Sequence, residues 1–310
     1  MAEMKLELVR LRKLIFTNWL SSFGFFTVLV FSAVAIAYWV TGGLIAPYSA
    51  SAINLSTPNL PPGLAHLFGT DFEGRDIFSR VLAALPVDLF IPILIVLFSA
   101  LIGIALGTVA GYKGGIAEEI IMRLSDMFLA FPSLIMALAI AATLGPSLLN
   151  AMLALTFTWW PPYVRLVRGG VLAVKSEDYI ATSKALDSSF FYILRRGIFP
   201  NILPSILVYA TLDIGTALLS LSSLGFLGIG IPAGTPELGE MVSSISTNFF
   251  TFPWESLLPS IVVLIIVAGF SLCGDGIRES GDVKVRPHMI LKDRFVGLPA
   301  KHTEEKRLES

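Results

Sequence analysis

The sequence has no Gly-x-x-x-x-Gly-Lys-Ser/Thr phosphate loop, which excludes the usual cradle for ATP and assigns any nucleotide to another chain. Cysteine is almost absent. The single Cys273 excludes an internal disulfide, and the scattered histidines His66, His288 and His302 offer no zinc or redox cluster. None of the three lies in an apolar run, which argues against a zinc or serine intramembrane protease. Charge is scarce too, at 15% of residues against about a quarter in soluble globular domains.

What replaces charge is apolar surface. Hydrophobic residues make up 55% of the chain, and the mean hydropathy of +0.77 places it in a bilayer. The net charge of -1 hides a regional asymmetry, since short segments hold nearly all the Lys and Arg, and no nucleic acid partner is expected. The first apolar run follows Arg10, Arg12 and Lys13 and contains the small residues Ala33 to Ala37, as a signal peptide does. Tyr38-Trp39-Val40 extend it, and an aromatic pair suits a membrane interface better than a cleavage site, so a retained anchor is expected.

A helix needs about 20 mostly apolar residues to cross the hydrocarbon core. Charge-poor runs of that length predict six crossings: Ser21 to Val40; Leu89 to Tyr112; two helices between Asp126 and Arg165 joined by a hairpin at Gly145-Pro146-Ser147; Arg196 to Gly225, with Asp213 inside it; and Ser256 to Gly274. Lys and Arg concentrate in the N-terminal segment, at Lys113 to Arg123, at Arg165 to Arg196 and after Arg278. Positive loops stay inside, so both termini are expected in the cytoplasm. The expected fold is an all-α membrane protein with a cytoplasmic segment 1–20, a first helix and external segment 21–83, a five-helix core 84–274 holding a cytoplasmic loop 170–200, and a cytoplasmic tail 275–310.

Residues 176 to 204 are helix-compatible throughout. Ser176 is expected to cap the N-terminus, Glu177 and Asp178 to favour the positive end of the dipole, and Arg195 and Arg196 the far end. Tyr179, Ser183 and Leu186 then share one face, a ridge suited either to a groove on a soluble partner or to lipid headgroups. Elsewhere, Thr70 followed by Glu73 predicts a capping box, with Asp71, Arg75 and Asp76 pairing among themselves. Ser99, Gly103, Gly107 and Gly111 form a small-residue stripe that lets another helix approach closely. Asp213 sits where a carboxylate is costly and faces a cavity or a partner, so it is the candidate for a translocation path or a hydrogen-bonded packing residue. Trp159 and Trp160 before Pro161-Pro162 are expected to form a kinked packing element.

The segment 176–204 resembles the coupling loop of binding-protein-dependent ABC import permeases, whose pattern is Glu-Ala-Ala, then Gly, then Ile-x-Leu-Pro. Ile202-Leu203-Pro204 keep its end, whereas Ala181-Thr182-Ser183 replace Glu-Ala-Ala and Asp187 stands at the Gly. Over residues 66 to 280 the chain also resembles the C-type permease of the peptide and nickel branch. The likeness rests on His66 to Asp71 with Gly74-Arg75-Asp76 and Ser79-Arg80, on Ala110-Gly111-Tyr112, on Met122 to Asp126, on Tyr163 to Gly169 and on Gly274 to Arg278. The resemblance implies a type I importer permease fold in the plasma membrane and no catalysis on this chain. It implies an ATPase-coupling helix at Tyr179, Ala181, Thr182, Ser183, Lys184, Ala185, Leu186 and Asp187. The partners it implies are a B-type permease, two ABC ATPases that bind ATP and Mg, and an external solute-binding protein. Its implied cargo is a dipeptide or oligopeptide, with oligosaccharides and nickel complexes as alternatives. A secondary transporter would instead show paired ionisable sites and inverted repeats, and a membrane scaffold would recruit a partner without transport.

Overall fold

The computed structural model describes residues 18–243 and 249–282; Arg10, Arg12, Lys13, His288 and His302 lie outside them. Among the described residues the regular structure is helical, apart from one isolated bridge between Thr70 and Asp76. Helix α1, Trp19–Val40, starts at Asn18, whose side chain accepts from the Leu20 amide at 3.4 Å. Residues 41–76 fold as an irregular segment over the start of α2, Ile77–Lys113. The expected capping box at Thr70 does not form. The Thr70 hydroxyl donates to the Thr57 carbonyl at 2.7 Å and accepts from the Leu60 amide at 2.9 Å, while Glu73 pairs with Arg75 at 2.7 Å. Asp76 caps α2 instead, accepting from the Ser79 amide at 2.8 Å and the Ser79 hydroxyl at 2.6 Å.

The second correction concerns the expected third crossing. Helices α3, Gly115–Leu129, and α4, Ser133–Leu144, meet at 87°. Pro132 breaks the run because the residue before a proline is pushed out of the helical region. Helix α4 has 12 residues, about 18 Å at 1.5 Å per residue, too short to cross alone. Helix α5, Leu148–Lys175, carries Trp159 to Pro162 within it. Four helices are long and apolar enough to cross a membrane, or five if the bent pair counts as one. They are α1, α2, the run Phe190–Phe226 and α10, Pro253–Asp282, whose charge-free part ends at Gly274. The six crossings expected from charge-free runs are therefore four or five by this measure, because α5 is diluted by Asn150, two Trp, two Pro and two Arg.

The core has three parts. One joins α1, α2 and α10 through Ala35, Leu85 and Ile266; the second joins α2, α5 and α8 (Phe199–Phe226) through Ile95, Leu155 and Leu221. The third, around Val171, Ile180 and Ile202, lies at the end of the molecule where α2 finishes. The stripe on α2 faces α5. A Cβ on Gly103 would lie 2.2 Å from that of Tyr163, and on Gly107 2.7 Å from the Val164 carbonyl. Gly111 meets Val171 in the same way, and the Ser99 hydroxyl donates to the Thr156 carbonyl at 3.3 Å. With no hydrophobic drive between helices in lipid, such close backbone approach supplies the packing energy.

Candidate translocation and coupling sites

The 176–204 stretch is two helical pieces, not one. Helix α6, Asp178–Ala185, begins at Glu177 without a side-chain cap, because Ser176 closes α5 and gives its hydroxyl to the Ala173 carbonyl at 2.7 Å. Asp178 in its first turn and Lys184 in its last complement the dipole. It ends in a Schellman motif: the Ser188 amide bonds the Ser183 carbonyl, the Asp187 amide bonds that of Lys184, and Asp187 sits at φ 53°. Ser189 then caps α7, Phe190–Tyr192, which runs through a π-helical turn, Ile193–Ile198, into α8.

One side of α6 is nailed down. Ile180 is buried among Ile193, Ile198 and Val171, and the Tyr179 hydroxyl donates to the Gly197 carbonyl at 3.3 Å while accepting from Asn201 at 3.0 Å. The other side is open. Leu186 is 76% exposed, Phe191 likewise 76%, and Ala181, Thr182, Lys184, Ala185 and Asp187 are exposed around them, with Ser183 half-buried. Ionic ties brace the neighbourhood: Arg165 bonds Asp126 at 2.6 Å and Arg168 bonds Glu118, joining α5 to α3. Lys175 reaches the Tyr112 carbonyl at 2.6 Å, tying α5 to α2.

Asp213 falls midway along α8 and points toward α5. Its Oδ2 accepts from Trp159 Nε1 at 2.8 Å and from the Tyr163 hydroxyl at 2.9 Å, and the Tyr163 ring meets Tyr209 edge-on at 5.0 Å. Trp159 is thus a hydrogen-bond donor to the carboxylate, a role that packing alone did not predict. Oδ1 receives neither bond.

At the opposite end lies a charged cluster larger than the expected pairing of Asp71, Arg75 and Asp76. Arg80, 2% exposed, bonds Glu240 at 3.2 Å and lies 3.9 Å from Asp71, which in turn holds Arg75 at 2.7 Å. Asp76 pairs with His66 rather than with these arginines. Glu240 sits in α9, Leu238–Ser243, where Glu237 accepts from the Gly239 and Glu240 amides at 3.0 and 2.7 Å. Asp88 on α2 accepts from the Leu238 amide at 3.0 Å. Burial pushes the Glu237 carboxyl above its ordinary range, opposed by those amide bonds. Acids without a basic neighbour in the segment after α8, set against Arg75 and Arg80 before and in α2, were the available signal, but no local period pairs residues 160 apart.

Comparison with known proteins bears on the family and the fold. The model for "Binding-protein-dependent transport system inner membrane component" matches residues 103–286. The probable D,D-dipeptide transport system permease protein of Escherichia coli (strain K12) is 40% identical over 259 residues, covering 82% of this chain and 87% of the relative. The oligopeptide transport system permease protein of Bacillus subtilis (strain 168) is 34% identical, covering 83% and 85%. In fold, the chain is similar to a chain from inward-facing conformations of the MetNI methionine ABC transporter, with a TM-score of 0.54 at 18% identity, over 66% of this chain and 97% of that one.

Proposed function

The chain belongs to the family of binding-protein-dependent transport system inner membrane components, and from that premise we propose that it is the peptide-importing permease half of an ABC transporter. It is a multi-pass membrane protein of the cell membrane. Its dipeptide and oligopeptide relatives support peptides as cargo. We take α5 as a crossing by its length and central packing, and α3 with α4 as one broken crossing, which gives six with both termini in the cytoplasm. The positive loops near Lys113 and Arg165 to Arg196 favour that orientation.

The observation that carries the reading is the shape of segment 177–192: α6 is anchored by Ile180 and Tyr179, while Leu186 at its C-terminal end and Phe191 in α7 stand exposed beside a helix that runs on to Asp213. A soluble ATPase that receives this face moves α8 when it closes on ATP, and the bundle rocks between inward and outward openings. A second permease, two ATPases and an external binding protein complete the machine, with ATP and Mg on the ATPases. Leu186→Arg is expected to reduce substrate-stimulated ATP hydrolysis by the assembled transporter by about tenfold, since it places a charge at the centre of the apolar contact. Normal stimulation in that variant, measured in proteoliposomes, overturns the coupling role.

A further inference from the structure

Asp213 belongs to a longer polar row. Tyr209, Asp213, Thr216, Ser220 and Ser223 recur at helical spacing along α8, a helix whose other flank is buried and apolar. Thr216 is exposed, and Tyr209, Asp213, Ser220 and Ser223 are half-buried: Tyr209 and Asp213 pack against the second core beside Trp159 and Tyr163, and from Thr216 onward the row borders open space. A polar row at membrane depth along the edge of the core lines a watery path or another protein surface. At its Phe226 end it meets a cavity of about 590 Å³ lined by Ser223, Leu219, Phe226, Leu134 and Val263.

The chemistry of the row is one-sided. Ser220 gives its proton to the Thr216 carbonyl at 2.9 Å and Ser223 to that of Leu219 at 2.7 Å, so both hydroxyls face outward with lone pairs. Asp213 adds a carboxylate whose orientation is fixed through Oδ2 by Trp159 and Tyr163, while Oδ1 receives neither bond. The Tyr209 ring lies one turn away on the same helix, in edge-to-face contact with Tyr163. Acceptors and one negative charge suit a ligand that brings N–H donors and positive charge.

We propose that Asp213 binds the α-ammonium group of the transported peptide, with the Ser220 and Ser223 oxygens taking its amide N–H groups as it passes along α8. The free α-amino group is protonated near neutral pH, and a charge-assisted bond to a pre-oriented carboxylate in a partly desolvated site is among the stronger polar contacts available. This rests on the peptide reading above.

The test uses the complete permease–ATPase complex without its binding protein, so that the permease offers the peptide site, and measures retention of dialanine and N-acetyl-dialanine by equilibrium dialysis. The wild type is expected to hold dialanine about tenfold or more tightly than the acetylated form. Asp213→Asn, which keeps an acceptor oxygen for Trp159 and Tyr163 but loses the charge, is expected to bind the two alike. Equal retention of both by the wild type, or of neither, overturns the proposal, as does undiminished discrimination by Asp213→Asn. Should that variant fail to assemble, Tyr163→Phe, which keeps the charge but removes one of the two bonds that orient Oδ2, is expected to weaken dialanine alone by about threefold; an equal effect on both probes overturns the proposal. Dialanine uptake by the full transporter with its binding protein separates the premises: if the wild type imports it but shows no discrimination, only the ammonium site falls, and if it imports none, the peptide reading falls and takes this site with it.

Discussion

Asp187 occupies a backbone conformation that glycine adopts at no steric cost and that costs other residues about 1 kcal/mol. Its relatives in the resembled pattern have Gly at that place, and the departure turns out to preserve the turn while straining it. Asp187→Gly is expected to slow amide exchange at Asp187 and Ser188 by about fivefold, because the relieved strain stabilises the closing bonds of α6. Faster exchange would mean that the gain in unfolded-state freedom outweighs the relief. The positive φ was readable only through the resembled pattern, whose Gly at this place suits a left-handed backbone. The partnership of Asp213 with Trp159 was not, because nothing along one helix says which side chain of another will face it. Burial gave Trp159 to packing, and only its Nε1 geometry shows the bond.

At the scale of elements, the α2–α5 contact is set by absent side chains. Gly107→Leu is expected to cost about 3 kcal/mol and lower the yield of assembled complex, since even a Cβ would press on the Val164 carbonyl and the Val167 side chain. Size-exclusion chromatography of the co-expressed complex checks it; a wild-type profile would show that the two helices separate without loss. This element pairing was legible as a stripe, although its partner was not. The run from Ser21 to Val40 and that ending at Lys113 were also visible, because charge-free length is a direct requirement of hydrocarbon thickness. The bend before α4 escaped the same reasoning. Hydropathy averages over a window and is blind to what Pro132 does to the one residue before it, Phe131.

Across the molecule, the buried ions gather at the end opposite α6. Arg80 on α2 and Glu240 on α9 clamp the segment after α8 onto the start of α2, with Asp88 and Glu237 holding the α9 N-terminus beside them. Arg80→Met is expected to destabilise the complex by about 3 kcal/mol, because Glu240 would remain buried without its charged partner, keeping the Gly234 amide. Thermal unfolding in detergent measures it, and Arg80→Met combined with Glu240→Gln should recover much of the loss; no recovery would show that the arginine acts through Asp71 or the Ala50 carbonyl instead. Neither segment reveals this clamp on its own, since each reads as a loop with a few charges.

The π-helical turn at Ile193–Ile198 joins the anchored platform to the helix that holds the carboxylate. A wider turn of this kind amounts to one residue inserted into an α-helix, and one residue is about 100° of rotation. That turn therefore sets the angular phase between the face offered to the motor and the face offered to the cargo. Any drift of the insertion along the helix would swivel one against the other without breaking the rod, as a clutch slips on a shaft.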